Sequence, residues 1–227
     1  MHAIKKVLSA IAAVSALFAL SGMQSASATT LTVTGMEFSS PTVVNIHGPG
    51  NPRVDGRVQA GAFTVTDGAK TFYAWCVDIY QLTKFNLAVN DFATGTPSLI
   101  TTDRLSALKR LATESLGLVV DGVTSGAFQL AAWEIVNETA GTAYDLGSGN
   151  FWANGASDDS LALAKTWLTN LPATSTYNVS FLVSPTHQDL AVFEKAAVVP
   201  EPASVALMGL GLAGLLAARR KRAVKAA

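Results

Sequence analysis

The stretch Thr71-Phe72-Tyr73-Ala74-Trp75-Cys76-Val77-Asp78-Ile79-Tyr80 holds the single cysteine of the 227-residue chain. Its aromatic and β-branched composition predicts a strand buried on both faces. Asp67-Gly68 just before it reads as a turn, with Ala62-Phe63-Thr64-Val65-Thr66 as the hairpin partner. Alternation places Phe72, Ala74 and Cys76 on one face and Tyr73, Trp75 and Val77 on the other. Asp78 falls on the face of Cys76, where a carboxylate marks the end of the buried run. A lone strand cysteine is commonly a small core hydrophobe, so its neighbours must decide whether Cys76 does more.

Upstream, Thr29–Val65 reads as β-structure: Leu31–Thr34 and Thr42–Ile46 alternate as strands, and Gly48-Pro49-Gly50-Asn51-Pro52 reads as a loop. Downstream the period changes. Leu105, Leu108, Leu111 and Ala112 recur at helical spacing over Asp103–Leu116, with Thr102 or Asp103 as cap and Gly117 as stop. A second helix is expected from Gly126 to Glu138, capped by Ser125. Phe128, Gln129, Ala132, Trp133, Ile135 and Val136 share one side of it, and Glu134, Asn137 and Glu138 the other.

Ala140–Ser157 reads as a loop anchored by Phe151 and Trp152. Asp158 and Asp159 open a third helix reaching about Leu171. Tyr177–Val183 and Leu190–Phe193 close the pattern as strands. Strands, helices, then strands imply an α+β fold, a β-sandwich or barrel with a helical insertion.

Both ends of the chain read as addresses. Residues 1–28 have a basic start at Lys5 and Lys6, an apolar run from Val7 to Leu20, and a small-residue cleavage site at Ala26-Ser27-Ala28, the pattern of a secretory signal. Residues 196–227 carry Pro200-Glu201-Pro202, an uncharged run from Ala203 to Ala218, and a basic end, 219–225, that opens with Arg219 and Arg220. At ~1.5 Å per residue that run spans roughly 24 Å, enough for a thin transmembrane helix over 203–218, with the basic cluster on the cytoplasmic side. This tripartite tail resembles the PEP-CTERM sorting signal of Gram-negative bacteria. The resemblance implies processing by an exosortase-type membrane enzyme, then delivery to the envelope, the cell surface or the medium, often alongside extracellular polysaccharide.

The remaining domain, 29–195, is acidic. Between Thr29 and Val199 nine basic residues face fifteen acidic ones, although the whole chain is formally neutral. That argues against a nucleic-acid partner. In an oxidising compartment one cysteine forms no internal disulfide. It is buried, paired with another chain, or committed chemically. A cysteine hydrolase would need a histidine base, but His47 and His187 both fall in expected loops without a motif. Two scattered histidines and one cysteine show no metal-ligand spacing, no phosphate-binding glycine loop is present, and no cofactor is implied.

Gln129 offers a sharper reading. A buried amide needs partners, since leaving it unpaired costs about 1–3 kcal/mol. Nearby backbone can supply them. Alternatively, a cysteine sulfur held against a glutamine carbonyl displaces ammonia and forms an internal thioester, given a shielded pocket and an orienting scaffold. Trp75-Cys76-Val77-Asp78 and Phe128-Gln129-Leu130-Ala131-Ala132-Trp133 are similar to the paired motifs of Cys–Gln thioester domains in bacterial surface adhesins. The resemblance implies Cys76 and Gln129 as the bond-forming pair. Asp78, close in sequence, either helps to orient the site or simply ends the strand in water, and Trp133 is a further candidate for site support. The resemblance also implies a single-use covalent attachment to a surface amine rather than an enzyme. The other expectation is a non-reactive surface or matrix binding protein with an idle Cys76.

Overall fold

The computed structural model describes residues 28–50 and 53–197. The chain divides into two compact units, 1–194 and 195–227. Among the described residues the fold is mostly β, with three α-helices. Six strands form a closed barrel in the order β1 (Thr29–Met36), β4 (Phe63–Thr66), β5 (Thr71–Cys76), β9 (Leu190–Lys195), β8 (Tyr177–Val183) and β6 (Ala88–Thr94). The remaining strands form a three-stranded sheet in the order β3 (Val54–Ala60), β2 (Thr42–Gly48), β7 (Trp152–Asn154). The helices α1 (Thr102–Ser115), α2 (Gly122–Asn137) and α3 (Asp158–Thr169) are inserted between β6 and β8. Of the two expected β architectures, the barrel is the one found.

The expected hairpin forms, with Phe63 opposite Ala74 and Val65 opposite Phe72. Gly68 takes a positive φ of 87° in its turn, and Asp67 accepts the backbone N–H groups of Ala69 and Lys70. β5 departs from the expected double burial. Tyr73 is 49% exposed, and only Ala74, Trp75 and Cys76 are fully enclosed. The strand starts on the barrel surface and runs beneath α2.

Helix α2 organises the interior. It packs against β2, β3, β5 and both other helices. The sequence predicts an amphipathic helix over 126–138 with a polar side. Instead Glu134, Asn137 and Glu138 are all buried, because this helix is enclosed on every side. It also starts one turn earlier than expected. Asp121 is the cap, in a reciprocal capping box with Thr124, whereas Ser125 lies inside the helix. Gly122 and Gly126 let α2 lie flush on the segment entering β2. A side chain at either would run into Ser40 or Thr42, and Thr42 Oγ1 donates to the Gly122 carbonyl at 3.0 Å. The other two helices match their expected positions within a few residues, capped by Thr101 and Ser157.

Two strands fall where the sequence predicts loops or nothing, and a third, β3, falls inside the 29–65 stretch expected to be β-structure but not singled out there as a strand. β3 lies at the edge of its sheet and buries only Ala60, so Val54-Asp55-Gly56-Arg57 shows no apolar alternation. In β6 the buried residues Val89 and Phe92 are three apart. A register shift in its pairing with β1 brings both inward, and the period of two is lost. β7 is a three-residue strand inside the expected 140–157 loop, where Phe151 is fully buried as the anchor.

Among the described residues no helix is long and apolar enough to cross a membrane. The expected signal segment up to Ser27, the helix at 203–218, and the residues Pro200, Glu201, Pro202, Arg219 and Arg220 lie outside the described residues.

Candidate functional site

Cys76 ends β5, and Gln129 sits mid-way along α2. The structure joins them through two hydrogen bonds. The Cys76 N–H donates to Gln129 Oε1 at 3.1 Å, and Gln129 Nε2 donates to the Cys76 carbonyl at 2.7 Å. Both residues are 1% exposed. The strand register explains the arrangement. Extending the pairing of Phe63 with Ala74 would set Gly61 opposite Cys76. The chain turns away at Gly61, which has a φ of 151°, and the Gln129 amide takes the place a strand residue would hold. One turn earlier on the same face, Ser125 Oγ accepts the Ala62 N–H at 2.9 Å. The two side chains thus satisfy backbone groups that the end of β4 leaves unpaired.

The thiol donates to the Asp78 carbonyl oxygen at 2.9 Å. Burial pushes the Cys76 pKa up to about 12. The nearby Trp133 indole N–H pulls it down, the Asp78 and Asp189 charges push it further up, and the Asp78 backbone contact lowers it. Trp133 is one turn beyond Gln129 and 3% exposed, and its indole nitrogen makes no hydrogen bond of ordinary geometry. Its influence on the sulfur is therefore that of a nearby N–H dipole rather than a formed bond.

Asp78 is also enclosed, at 7% exposure, and its Oδ1 accepts the Tyr80 N–H at 2.7 Å. Burial raises its pKa, opposed by that N–H and the one of Gln81. Asp189 is a neighbour that the sequence reading missed. Its carbonyl accepts the Val77 N–H at 3.0 Å, and its carboxylate accepts the Ser184 N–H at 2.9 Å. Burial raises its pKa, and the Asp78 charge adds to the rise. Asp189 could be placed here only by pairing β5 with β9 (Cys76 opposite Leu190), and nothing local in the sequence signals that pairing.

The four expected site residues of the domain, Cys76, Gln129, Asp78 and Trp133, therefore share one buried region. Both histidines lie elsewhere. His47 bonds to Asp55 and stacks on Trp152 at 3.5 Å, and His187 sits at the turn between β8 and β9 beside Thr186. Among the described residues no group of three or more His, Cys, Asp or Glu side chains is arranged to hold a metal ion.

Chemically, the arrangement holds the Gln129 acyl carbon, through both polar atoms of its amide, against the backbone of the residue that bears the thiol, in an enclosed space. A backbone N–H is directed at the oxygen that would carry negative charge during attack on that carbon. At neutral pH the sulfur is a thiol, so attack requires the proton to leave first.

No curated relative matches the sequence. Among solved structures, the N-terminal domain of the Streptococcus pyogenes pilus tip adhesin Cpa is similar at 15% identity, over 72% of this chain and 100% of that one, with a TM-score of 0.38. A likeness of that size carries no argument. Residues 198–222 match the family model described as the PEP-CTERM protein-sorting motif. The chain therefore carries an exosortase-type sorting signal, and is an exported protein that is membrane-anchored before processing and afterwards resides at the cell envelope or surface.

Proposed function

We propose that the exported domain is a single-use covalent attachment module rather than an enzyme. The Cys76 sulfur bonds to the Gln129 side-chain carbonyl carbon, and the C–N bond breaks. The thiol proton leaves with the departing amide nitrogen as ammonia. A primary amine on an outside surface then displaces the sulfur, which forms an amide at Gln129 and returns the Cys76 thiol. The observation that carries this reading is the pair of hydrogen bonds that hold the Gln129 amide against Cys76. Burial supports it by keeping water from the bond, and so do the two sequence motifs around these residues.

A second reading has its own support. Both ends of the Gln129 amide are already satisfied by the Cys76 backbone, so the side chain has a sufficient structural role as a substitute strand. The protein is then a non-reactive surface or matrix binding protein.

Peptide mapping of the exported protein separates the two. The attachment reading expects an intact mass lower than the sequence by one ammonia, methylamine incorporation at Gln129, and loss of both in Cys76→Ala. Hydrolysis of a formed bond would leave glutamate at 129. Unaltered glutamine in every molecule, with a fully titratable thiol after unfolding, would leave only the binding protein.

A further inference from the structure

A cleft of about 290 Å³ lies where the outer wall of the barrel at β5 and β9 meets the turn after α1. Its lining includes Tyr73, Trp75, Phe193, Leu116, Glu37 and Glu194. The size is near the lower end of the ~300–1,000 Å³ typical of small-molecule sites. Three features of the lining are unusual together.

First, its walls are aromatic. Trp75 and Phe193 meet edge to face at 5.6 Å, and both rest on Phe128, which fixes their orientation. Tyr73 stays half exposed at the rim. Second, two carboxylates line it and no basic residue does. Glu37 Oε2 is buried without a hydrogen-bond partner, and among the described residues neither Glu37 nor Glu194 has an ion-pair partner. Partial burial raises the Glu37 pKa. Third, the Trp75 indole N–H is buried and unpartnered, although the residue is only 5% exposed. Buried donors and acceptors normally find partners.

We propose that this cleft binds an amino sugar. The lining matches such a ligand group by group. A pyranose ring presents C–H faces to aromatic walls. Its ammonium group suits the carboxylate pair and the ring faces. A hydroxyl oxygen beside the nitrogen accepts the Trp75 N–H. A neutral sugar leaves the carboxylates without a cation, and a plain alkylamine leaves the indole without an acceptor. The site is non-covalent and goes beyond the attachment reading, since it stands whether or not Cys76 and Gln129 ever bond.

The test uses the full chain in detergent micelles, ¹⁵N-labelled, with D-glucosamine as probe. The chain has four tryptophans, and the Trp75 indole N–H resonance is assigned by its loss in Trp75→Phe. Glucosamine should shift that resonance saturably and reversibly on dilution. D-glucose and n-propylamine at equal concentration should leave it in place. Glu37→Gln should weaken glucosamine binding about tenfold by removing a charge-assisted contact. Glu194→Gln serves as the second variant if the first unfolds. Equal response to glucose or to propylamine, no response to any probe, or unchanged affinity in a folded carboxylate variant would each overturn the proposal. An irreversible adduct mapped to position 129 reports on the covalent reading and is distinguished by its failure to reverse.

Discussion

Helix α2 carries two buried polar stations that solve one problem with opposite chemistry. At the first, Ser125 and Gln129 meet the strand ends around Ala62 and Cys76 with neutral groups. Both polar atoms of the Gln129 side chain are used. At the second, Glu134 and Glu138 meet the loop before β7 with carboxyl groups. Glu138 accepts the N–H groups of Thr139 and Asn150, and Arg104 donates to its carbonyl. Glu134 accepts the Asp145 N–H at 2.7 Å, yet its other oxygen is buried with no partner. A neutral amide can mimic a strand without an electrostatic penalty. A carboxyl group doing similar work must carry a charge into the interior or keep its proton. Burial, together with the charges of Glu138 and Asp145, pushes the Glu134 pKa up to about 8, against the opposing pull of the Asp145 N–H.

The largest expected effect tests the neutral station. Gln129→Ala removes both hydrogen bonds to Cys76 and leaves a void, and should destabilise the domain by about 3–5 kcal/mol. Cys76→Ala keeps the backbone groups that Gln129 holds and should cost clearly less. Equal losses in denaturant titrations of reduced, unbonded protein would show that Gln129 does not act as a substitute strand.

The next effect tests the acidic station. Because the folded pKa of Glu134 is raised, its stabilising contribution is fully present below about pH 4.5. It falls as pH rises and is lost above about pH 8. Glu134→Gln should remove this dependence and stabilise the domain by about 2–3 kcal/mol near pH 9 relative to wild type, with little gain near pH 5. Unfolding midpoints at those two pH values measure the difference. A gain of the same size at both would mean that Glu134 is ionised in the fold throughout.

The smallest effect returns to the first station. Ser125→Ala leaves the Ala62 N–H unpaired and should cost about 1–2 kcal/mol. Ser125→Thr is a poor control here because α2 is closely packed at this turn, whereas Ser125→Cys keeps the size with a weaker acceptor and should fall between.

Much of this was legible in the sequence, and the gaps have physical causes. The hairpin carrying Cys76 was readable because Asp67-Gly68 supplies the turn and both strands alternate. The burial of Gln129 was readable because an amide fell among the apolar positions of α2, whereas its pairing with Cys76 was what the resemblance of the two motifs implied. The actual partners of that amide, the backbone groups of Cys76, depend on where β4 ends, which no local pattern announces. The burial of Glu134 and Glu138 was hidden because helical periodicity assumes one wet side, and α2 has none. Asp189 was hidden for a similar reason, since it reaches the site through a strand pairing distant in sequence.

β9 ends at Lys195, and the chain that follows leads to the sorting motif at 198–222. A load applied through an anchored tail therefore enters the domain along β9. That strand is flanked by β8 and β5 within a closed barrel, so ladders on both sides hold it. The end of β5 that receives this load is Trp75–Cys76, the place where Gln129 fastens the barrel to α2. A domain held by its tail against flow would then bear its traction first on the hydrogen bonds that hold β9, and a covalent Cys76–Gln129 link, which ties β5 to α2, would leave that first failure unchanged.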